Sequence, residues 1–569
     1  MKRIIIIILI LSIVKIYSQN YTSPFNFPIY LSGTFGELRD NHFHAGIDIK
    51  TFEKEGYPVL SIADGYVSRI KISTWGYGKV IYINHNDGKT SVYAHLNRFS
   101  DKIEKEIRKK QYENELYEIE IFPKKDELII KQGEEIGLSG NTGGSGGPHL
   151  HFEIRDTENE LALNPLNFGF KVEDNLNPII SGIKIYSHNN ASINNKISDI
   201  NLNVRKCLTK ETKKYTEYCL EEIDLKINGE ISFSINTFDR QDMSPNNKNG
   251  VYSIKLYVNN DLIHHFEMGK LSFEETRFIN AHIDHEEYFD SNTRFNRCYR
   301  LPYNNLNNYL FEKYNGIINI KEGQEYNIKF EVQDIHKNLS VLNFSFNGSE
   351  KLSLQKKEKK PEIKHDKVKI FKNENFECHL DKYSFYKDYD SLIYKINSKR
   401  KNTISQIHTI MDESTPIHKN CIISIKKDSL NRDGNNIFLA QIKKDSTFKY
   451  KGKTIRENYI SALSKNLGSF CLLADSISPT ISNIKIDKDT NIYNGIGKID
   501  VKIKDKESGI SFYRGEINGK WILMEYDYKT DLLRYYFIPG EISKGNNTIK
   551  ITVRDKLNNE SIKEKDFIY

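Results

Sequence analysis

Four histidines and one aspartate near the start of the chain have the residue types and spacings of a metal centre. They are His44, Asp48, His95, His149 and His151. Imidazole nitrogens and carboxylate oxygens are the ligands that Zn²⁺ takes in catalytic sites, which usually combine three protein ligands with one open position for water. The five candidates therefore supply three ligands and leave two histidines for proton transfer. This set indicates a metal-dependent hydrolase.

The local sequence predicts how four of these side chains converge. His149 and His151 flank a leucine, and residues two apart in a strand point to the same face, so both imidazoles can reach one site. His44 and Asp48 are four apart, with Gly46 between them. This spacing suits a helical turn or a loop that folds onto a strand. The glycine and the following Ile-Asp-Ile-Lys segment favour the loop.

Sequence spacing alone assigns no role to the other histidines. A single histidine is more often a surface residue or a hydrogen-bonded core residue than a metal ligand. His95 follows an apolar strand, so only tertiary structure can bring it to the other four. His42 and His85 fit no ligand pattern, and we predict that they are surface residues or supports for the ligands.

The sequence around these residues has the pattern of short strands separated by glycine turns. Apolar or alternating segments favour strands at 59–62, 65–70, 79–84, 90–93 and 127–131. Residues 101–116 are the exception, because they are highly charged and have helical character. We interpret 101–131 as a solvated, charged insertion. The pattern predicts a mostly antiparallel β domain.

Composition limits the class of protein. A chain of 569 residues is too long for one hydrophobic core, so several domains are expected. Its 34 Tyr and 30 Phe favour strands and a globular, mainly β chain. The net charge of +7 is compatible with an anionic polymer nearby, but it is too weak and dispersed to indicate nucleic acid.

The first 18 residues have the pattern of a signal peptide. Lys2 and Arg3 precede an apolar run from Ile4 to Val14, and a plausible cleavage site precedes Gln19. Lys15 interrupts the run well short of the roughly 20 residues that span a bilayer. No later segment approaches that length. We expect export to the periplasm, the cell surface or the medium, without a stable membrane span.

Beyond residue 170 an internal repeat indicates further β modules. An Asp-x-x-x-Pro entry at Asp174 recurs at Asp475, and an alternating strand that ends at Asp334 recurs at Asp555. Short alternating strands with regular turns are typical of Ig-like β-sandwiches. The predicted organisation is a signal peptide at 1–18, the metal-binding domain at 19–172, an Ig-like sandwich with an insertion at 174–350, a charged linker at 351–367, a β-rich module at 368–474 and an Ig-like sandwich at 475–569.

All six cysteines lie outside the motif-bearing region. Cys207 and Cys219 could form a local disulfide in an exported chain, but buried free thiols are an equal alternative. No Cys-x-x-Cys or Cys/His spacing indicates a structural metal site.

The motifs resemble those of the lysostaphin-type, or LytM-like, zinc endopeptidases, whose fold is the duplicated hybrid motif. Phe43-His-Ala-Gly-Ile-Asp48 is similar to the family's His-x-x-x-Asp string. Tyr93-Ala-His-Leu96, then Gly137-Leu-Ser-Gly-Asn-Thr-Gly143, then Pro148-His-Leu-His-Phe-Glu153 resemble its other signatures in the family's order. The segment 62–67 also resembles a turn of these enzymes. The resemblance covers roughly residues 30–168.

This resemblance implies a role for each of the five residues. His44, Asp48 and His151 would hold one Zn²⁺ per chain, while His149 and His95 would be catalytic. One histidine would act as general base and the other would steady the oxyanion, and the sequence does not assign which. The implied substrate is a peptide bond in peptidoglycan stem peptides or cross-links.

Two regions depart from the compact family pattern. The charged insertion 101–131 could wall the substrate groove or act as a lid. The β-rich tail could be a spacer, which we favour, or could bind the wall or a partner protein. The competing interpretations are a catalytically inactive relative that binds the wall or activates an amidase, and an adhesin-like β protein with an incidental metal site.

Overall fold

The computed structural model describes residues 20–207, 214–221, 224–351, 362–427, 436–492, 495–538 and 540–569. Within these ranges the chain is mainly β, as predicted. None of the helices in the described ranges has the length and apolar character needed to cross a membrane. The predicted signal peptide and most of the predicted linker at 351–367 lie outside the described residues.

The main sheet of the N-terminal domain is antiparallel and carries the candidate residues near its centre. Its strands, in spatial order, are Leu31–Gly33, Ile47–Lys50, His149–Asp156, Lys89–Ala94, Lys79–His85, Gly65–Ile72 and Ile119–Ile121, with Ile129–Ile130 and Ala162–Leu163 on its edges. A smaller sheet and a hairpin complete the domain, with strands Pro58–Leu60, Glu135–Leu138, Arg98–Phe99, Leu38–Arg39 and His42–Phe43. Each strand predicted from alternation overlaps one of these strands.

The charged insertion contains the one long helix of the described residues, Asp101–Asn114. Ile103, Ile107 and Gln111 are buried, and their spacing of four places them on one helical face. The insertion is therefore packed along one side rather than solvated all round. The rest of it pairs with the edge of the main sheet through Ile119–Ile121 and Ile129–Ile130.

The second region, residues 174–351, forms one continuous sheet in its described part. Its strands are Ile179–Ser187, Ser192–Ile193, Ile200–Lys206, Tyr215–Leu220, Ile227–Gln241, Ser244–Asn249, Ser253–Val258, Asp261–Glu267, Lys270–Leu271 (which pairs with the N-terminal domain), Phe295–Arg297, Tyr309–Glu312, Ile318–Ile320, Glu325–Gln333 and Leu339–Asn347. The short helices are Thr276–Phe278, Ile279–His282, His285–Ser291 and Tyr314–Gly316. The Ig-like character of this region stays a prediction.

A disulfide-closed hairpin makes this sheet continuous. The strand Ile200–Lys206 pairs with Ile179–Ser187, and its partner Tyr215–Leu220 pairs in parallel with Leu339–Asn347. The disulfide joins Cys207 and Cys219. The other four cysteines are buried free thiols. The disulfide alternative is therefore right for Cys207 and Cys219, and the free-thiol alternative is right for the other four cysteines.

Two further regions each contain two sheets. Strands of residues 362–474 are Lys369–Lys372, Phe376–Leu380, Cys421–Lys426, Thr454–Arg456 and Tyr459–Ser464 in one sheet, and Tyr394–Asn397, Ile407–Ile410, Ile437–Ile442, Phe448–Gly452 and Gly468–Ala474 in the other. Strands of the C-terminal unit, residues 475–569, are Thr480–Ile481, Lys485–Ile492, Gly495–Lys504, Glu525–Asp527 and Leu532–Tyr536, facing Ile510–Ile517, Lys520–Ile522, Asn546–Asp555 and Glu560–Ile568. The apolar side chains of the C-terminal unit form one core.

The N-terminal domain and the second region share a continuous hydrophobic core. The edge strand Ala162–Leu163 pairs with Lys270–Leu271 of the second region. The hairpin of the N-terminal domain is also held from that side, because Phe43 N donates to Thr276 Oγ1 at 2.9 Å. The second region therefore buttresses the elements that carry the candidate site.

Candidate metal centre

The register of the main sheet brings four of the five candidate residues together. His151 pairs with Asp48 on one side and with Ala94 on the other. His149 lies two residues before His151 on the same face of the strand, as predicted from the period of two. His95 directly follows Ala94, so it reaches the same end of the sheet.

Gly46 allows the fifth residue, His44, to join them. His44 lies in the loop after the hairpin, and Asp48 lies in the strand Ile47–Lys50. A Cβ atom on Gly46 would lie 2.4 Å from Phe152 O, so only glycine fits this close approach. The prediction of a loop that folds onto a strand is confirmed.

Three atoms of these residues form what we call the donor triangle. They are His44 Nε2, Asp48 Oδ1 and His151 Nδ1. The two nitrogens are 2.9 Å apart, and they lie 3.0 Å and 2.9 Å from the carboxylate oxygen. All three side chains are buried. One ion can reach all three atoms.

In both histidine ligands, the ring nitrogen that faces away from the donor triangle already has a hydrogen-bond partner. His44 Nδ1 lies 2.8 Å from Thr34 O, and His151 Nε2 lies 2.8 Å from Glu153 Oε1. Both of these nitrogens face acceptors and carry a ring proton. In the metal-free chain a second proton on His151 Nδ1 can bridge to Asp48 Oδ1. A cation that replaces this proton would meet two imidazole nitrogens and a carboxylate oxygen, and rear partners of this kind orient metal ligands. The donor set therefore fits a metal ion.

Arg39 completes the support of Asp48. Its Nη2 donates to Asp48 Oδ2 at 2.6 Å, on the side away from the donor triangle. Burial alone would raise the pKa of Asp48, but the surrounding imidazoles hold it well below its usual range, so the carboxylate is ionised. Burial lowers the pKa of His44. Burial opposes the charged form of His151 too, but hydrogen bonds to Asp48 and Glu153 outweigh it and raise its pKa to about 9 in the metal-free chain.

His95 and His149 stand beside the triangle in matching orientations. His95 Nδ1 lies 2.8 Å from Thr142 O, and His149 Nδ1 lies 2.8 Å from Gly147 O. In each ring Nδ1 must therefore donate, and Nε2 carries the lone pair. The ring centroids are 4.8 Å apart, and His149 Nε2 lies 3.5 Å from Asp48 Oδ1. Both residues can accept a proton at the edge of the donor triangle.

The backbone of His95 is strained in a way that fits a functional position. Its φ is 61°, in the left-handed region that costs a residue other than glycine about 1 kcal/mol or more. Two hydrogen bonds hold it there, from its own N–H to Tyr77 O at 2.9 Å and from its ring to Thr142 O. Burial and the neighbouring His151 and His149 lower its pKa to about 3, so the ring is neutral.

Glu153 is a site residue that the sequence analysis quoted in a motif but did not assign. It is fully buried and accepts hydrogen bonds from His151 Nε2, from Tyr77 Oη and from Arg155 Nε. Arg155 and His151 hold its pKa at about 2 against the opposing effect of burial. The signal was available, because Glu153 follows His149 and His151 at the same period of two. Tyr77 and Arg39 had no comparable signal.

The two histidines without a ligand pattern lie outside the centre. His42 is exposed, as predicted. His85 is buried, with hydrogen bonds to Ser91 Oγ at 2.7 Å and Asp64 O at 3.0 Å. The prediction that His85 is a surface residue or a support for the ligands was therefore wrong. It is a hydrogen-bonded core residue.

The C-terminal unit lies against the rim of the centre, a contact that the sequence analysis did not predict. Lys529 Nζ donates to Asn141 O and to Ser145 O, in the loop that also provides the carbonyl partners of His95 and His149. Tyr528 stacks on Trp75 with ring centroids 3.5 Å apart. Lys79, buried in the N-terminal domain, pairs with Glu525 at 3.0 Å.

A cavity of about 540 Å³ lies between the two units. Its walls carry acidic and basic side chains. One end of the cavity is lined by the loop residues 141–143, beside the metal centre. Charged residues that line it are Glu55, Lys79, Arg98, Asp101, Glu104, Lys105, Arg108, Glu525, Asp527, Lys529 and Arg534. The tail therefore contributes to the surroundings of the site.

The fold and the donor triangle together define a β domain with a candidate metal centre, and comparison with known proteins gives its family. Residues 42–112 and 116–165 match Peptidase family M23. The N-terminal domain belongs to this family, and the resemblance seen in the sequence is confirmed. Residues 360–475 match a Zu5-like domain, which covers the β-rich module predicted at 368–474.

Relatives and solved structures match the same segment. An uncharacterized metalloprotease of Haemophilus influenzae is 32% identical over 145 residues, 26% of this chain and 24% of its own length. The DD-carboxypeptidase/endopeptidase Mpg of Neisseria meningitidis is 35% identical over 124 residues, 22% of each chain. The catalytic domain of the prophage-encoded M23 protein EnpA from Enterococcus faecalis is 23% identical, covering 26% of this chain and 98% of that chain, with a TM-score of 0.20. The chain thus spans less than a quarter of the length of these curated relatives.

Proposed function

We propose that the chain is an exported, zinc-dependent metalloendopeptidase that hydrolyses peptide bonds in peptidoglycan stem peptides or cross-links. The observation that carries the proposal is the donor triangle, with its ligands held from behind and two proton-accepting histidines at its edge. The M23 membership of the domain supports the reaction class. The complete ligand set argues against the inactive, wall-binding or amidase-activating alternative.

One zinc ion per chain would be held by His44 Nε2, Asp48 Oδ1 and His151 Nδ1. Two imidazoles and one carboxylate, without thiolate, are typical of a catalytic rather than a structural zinc site. The ion would supply Lewis acidity and bring the pKa of water towards about 7. All other steps belong to side chains of this chain.

The proton transfers fall to His95 and His149. With Nδ1 fixed on a backbone carbonyl, Nε2 of either ring can take a proton from the attacking water. The same atom, once protonated, can donate to the oxyanion or return the proton to the leaving amine. Because each ring holds its Nδ1 on a backbone carbonyl, the geometry leaves open which one is the general base.

The C-terminal unit would form one wall of the substrate groove. The cavity beside the loop at 141–147 has both acidic and basic walls, which suits a peptide with free carboxylate and amino groups. Through Lys529 the unit also braces the loop that orients both catalytic histidines. This role replaces that of a simple spacer, the interpretation favoured from the sequence.

The test is digestion of purified peptidoglycan by the full chain, with and without a chelator, with the products identified by mass spectrometry. We expect new amino termini within the stem or cross-link peptides, lost with the chelator and restored by one equivalent of zinc. Sugar-only products, or cleavage that survives removal of the metal, would contradict the proposal.

A further inference from the structure

Both tryptophans of the chain line one cavity, although one belongs to the N-terminal domain and the other to the C-terminal unit. They are Trp75 and Trp521. The cavity has a volume of about 510 Å³ and lies next to the larger cavity described above, with which it shares Thr74, Tyr117 and Tyr526. Its volume is in the range of small-molecule sites, about 300–1,000 Å³.

The walls of this cavity carry aromatic rings that neighbouring rings hold in place. Trp75 is 62% exposed, and Tyr528 stacks on one of its faces with ring centroids 3.5 Å apart. Trp521 contacts Tyr112 edge to face, with ring centroids 5.1 Å apart. Tyr528 and Trp521 also line the cavity. The aromatic surface is therefore organised before a ligand binds.

The acidic side chains that line the cavity are already paired within the protein. Arg514 Nη1 donates to Glu115 Oε2 at 2.6 Å, Lys504 Nζ lies 3.0 Å from Asp531 Oδ2, Thr74 N donates to Glu118 Oε1 at 2.5 Å, and Gly509 N donates to Asp505 Oδ1 at 2.5 Å. These carboxylates can still accept further hydrogen bonds, because each has several lone pairs. The cavity therefore favours a neutral polar ligand over an ion.

A sugar ring has the two properties that this cavity requires. Its C–H faces are apolar and pack on the faces of aromatic rings, and its hydroxyl groups donate to carboxylates. We propose that the cavity binds neutral N-acetylated aminosugar residues of a glycan strand. The inference rests on the proposed function, because the peptides of peptidoglycan are attached to a strand of this kind.

The position of the cavity suits this role. Trp75 lies in the same loop as Tyr77, whose carbonyl oxygen accepts from His95 N at 2.9 Å. Gly76 O, in the same loop, accepts from Gly144 N at 2.7 Å. The glycan site is thus next to the loops that orient the histidines beside the donor triangle. A strand held there would bring its attached peptide close to the metal centre.

The test is titration of the zinc-loaded full chain with chitotetraose, a linear oligomer of N-acetylglucosamine that carries no stem peptide. Both tryptophans line the cavity, so tryptophan fluorescence reports binding there, and calorimetry gives the affinity and stoichiometry. We expect one oligomer per chain and a saturable change in fluorescence. The same binding is expected after chelator treatment, because the cavity walls include no ligand of the donor triangle.

Trp75→Ala should weaken chitotetraose binding by about two- to tenfold, the range for the loss of one stacked ring. Trp75→Phe should lose less, because it keeps an aromatic face. Tyr528→Ala changes the other ring of the stack and gives a second, independent variant. Phe122→Ala is the control and should bind like the parent, because Phe122 is an exposed aromatic residue of the same insertion that does not line the cavity.

Absence of saturable binding, or equal losses in Trp75→Ala and Phe122→Ala, would overturn the proposal. Binding of trialanine with the same dependence on Trp75, without binding of chitotetraose, would make the cavity a peptide site and would also overturn it. A chain that binds chitotetraose but leaves peptidoglycan peptides intact would contradict the proposed function and support the glycan site. A chain that cleaves these peptides without binding chitotetraose would contradict the glycan site alone.

Discussion

The donor triangle and the group of Asp174, Asp334 and His336 in the second region both bring three potential ligand atoms close together, but their surroundings differ. In the triangle, two imidazoles and one carboxylate are each held from behind, by Thr34, Glu153 or Arg39. In the second group, Leu176 N donates to Asp174 Oδ1, and Asn338 donates to both oxygens of Asp334. The triangle therefore directs its ligand atoms to one point, whereas the second group uses its carboxylates mainly to hold the backbone.

This difference separates chemistry from stability. Ligands that are fixed in advance leave the ion with an open coordination position and strong Lewis acidity, as catalysis requires. Carboxylates that accept hydrogen bonds from the backbone instead stabilise the local fold. We therefore expect metal removal to abolish activity through the triangle.

The largest expected effect tests whether the triangle acts with its neighbouring histidines. His95→Ala should lower kcat by about 10²–10⁴-fold, the contribution of a general acid or base, while zinc content stays at one per chain. His42→Ala, which changes an exposed histidine of the adjacent hairpin, is the control and should keep full activity. Turnover of a muropeptide substrate and metal analysis of the same sample provide the measurement. Full activity of His95→Ala would show that the triangle works without it.

A smaller effect tests the rear support of the triangle. Glu153→Gln removes the charge that orients and polarises His151, and should weaken zinc binding by about 10–100-fold. Competition with a chromogenic chelator measures the affinity. Glu160→Gln is the matched control, because Glu160 binds the same Arg155 but does not contact His151. If both variants bind zinc like the parent, the triangle is not organised by Glu153.

The pH dependence of zinc binding follows from His151. Its pKa of about 9 in the metal-free chain means that it carries a proton at neutral pH, which the metal must displace. Zinc affinity should therefore rise with pH, by up to about tenfold per unit between pH 6 and 8, and level off near pH 9. Titrations across this range check the sign. A flat profile would mean that His151 is neutral before the metal binds.

The smallest effect concerns the C-terminal unit. Lys529→Ala removes its hydrogen bonds to the loop at 141–145 and should lower kcat by about two- to tenfold, the equivalent of 0.5–1.5 kcal/mol for one hydrogen bond. Zinc content and KM should stay unchanged, since Lys529 touches no ligand of the triangle. Lys520→Ala, an exposed lysine of the same unit, is the control. An unchanged kcat would mean that the unit does not brace the loop.

The sequence predicted local parts of the donor triangle from spacing within two motifs, whereas the choice of ligands came from the family resemblance and stays a prediction. The period of two fixes His149 and His151 on one face, and Gly46 marks the close approach that carries His44 to Asp48. The carbonyl partners Thr142 and Gly147 could not be predicted, because any residue can supply a backbone carbonyl and only the fold selects which one lies near.

The remaining features depend on contacts between distant segments. Asp174 and Asp334 were visible as a repeat, but the hydrogen bonds that join both of them to Asn338 depend on packing. The contact of Lys529 with the loop at 141–145 joins two ends of the chain that no local pattern connects. The domain boundaries and Ig-like character of the tail stay predictions.

The most direct test of the central claim compares the two histidines of one motif, His149 and His151. We expect His151→Ala to lose zinc and activity together, and His149→Ala to retain one zinc per chain while muropeptide cleavage falls below detection. Metal content and turnover are measured on the same preparations. If both variants lose zinc, or if either retains full cleavage, the division between the donor triangle and the proton-transferring histidines is wrong.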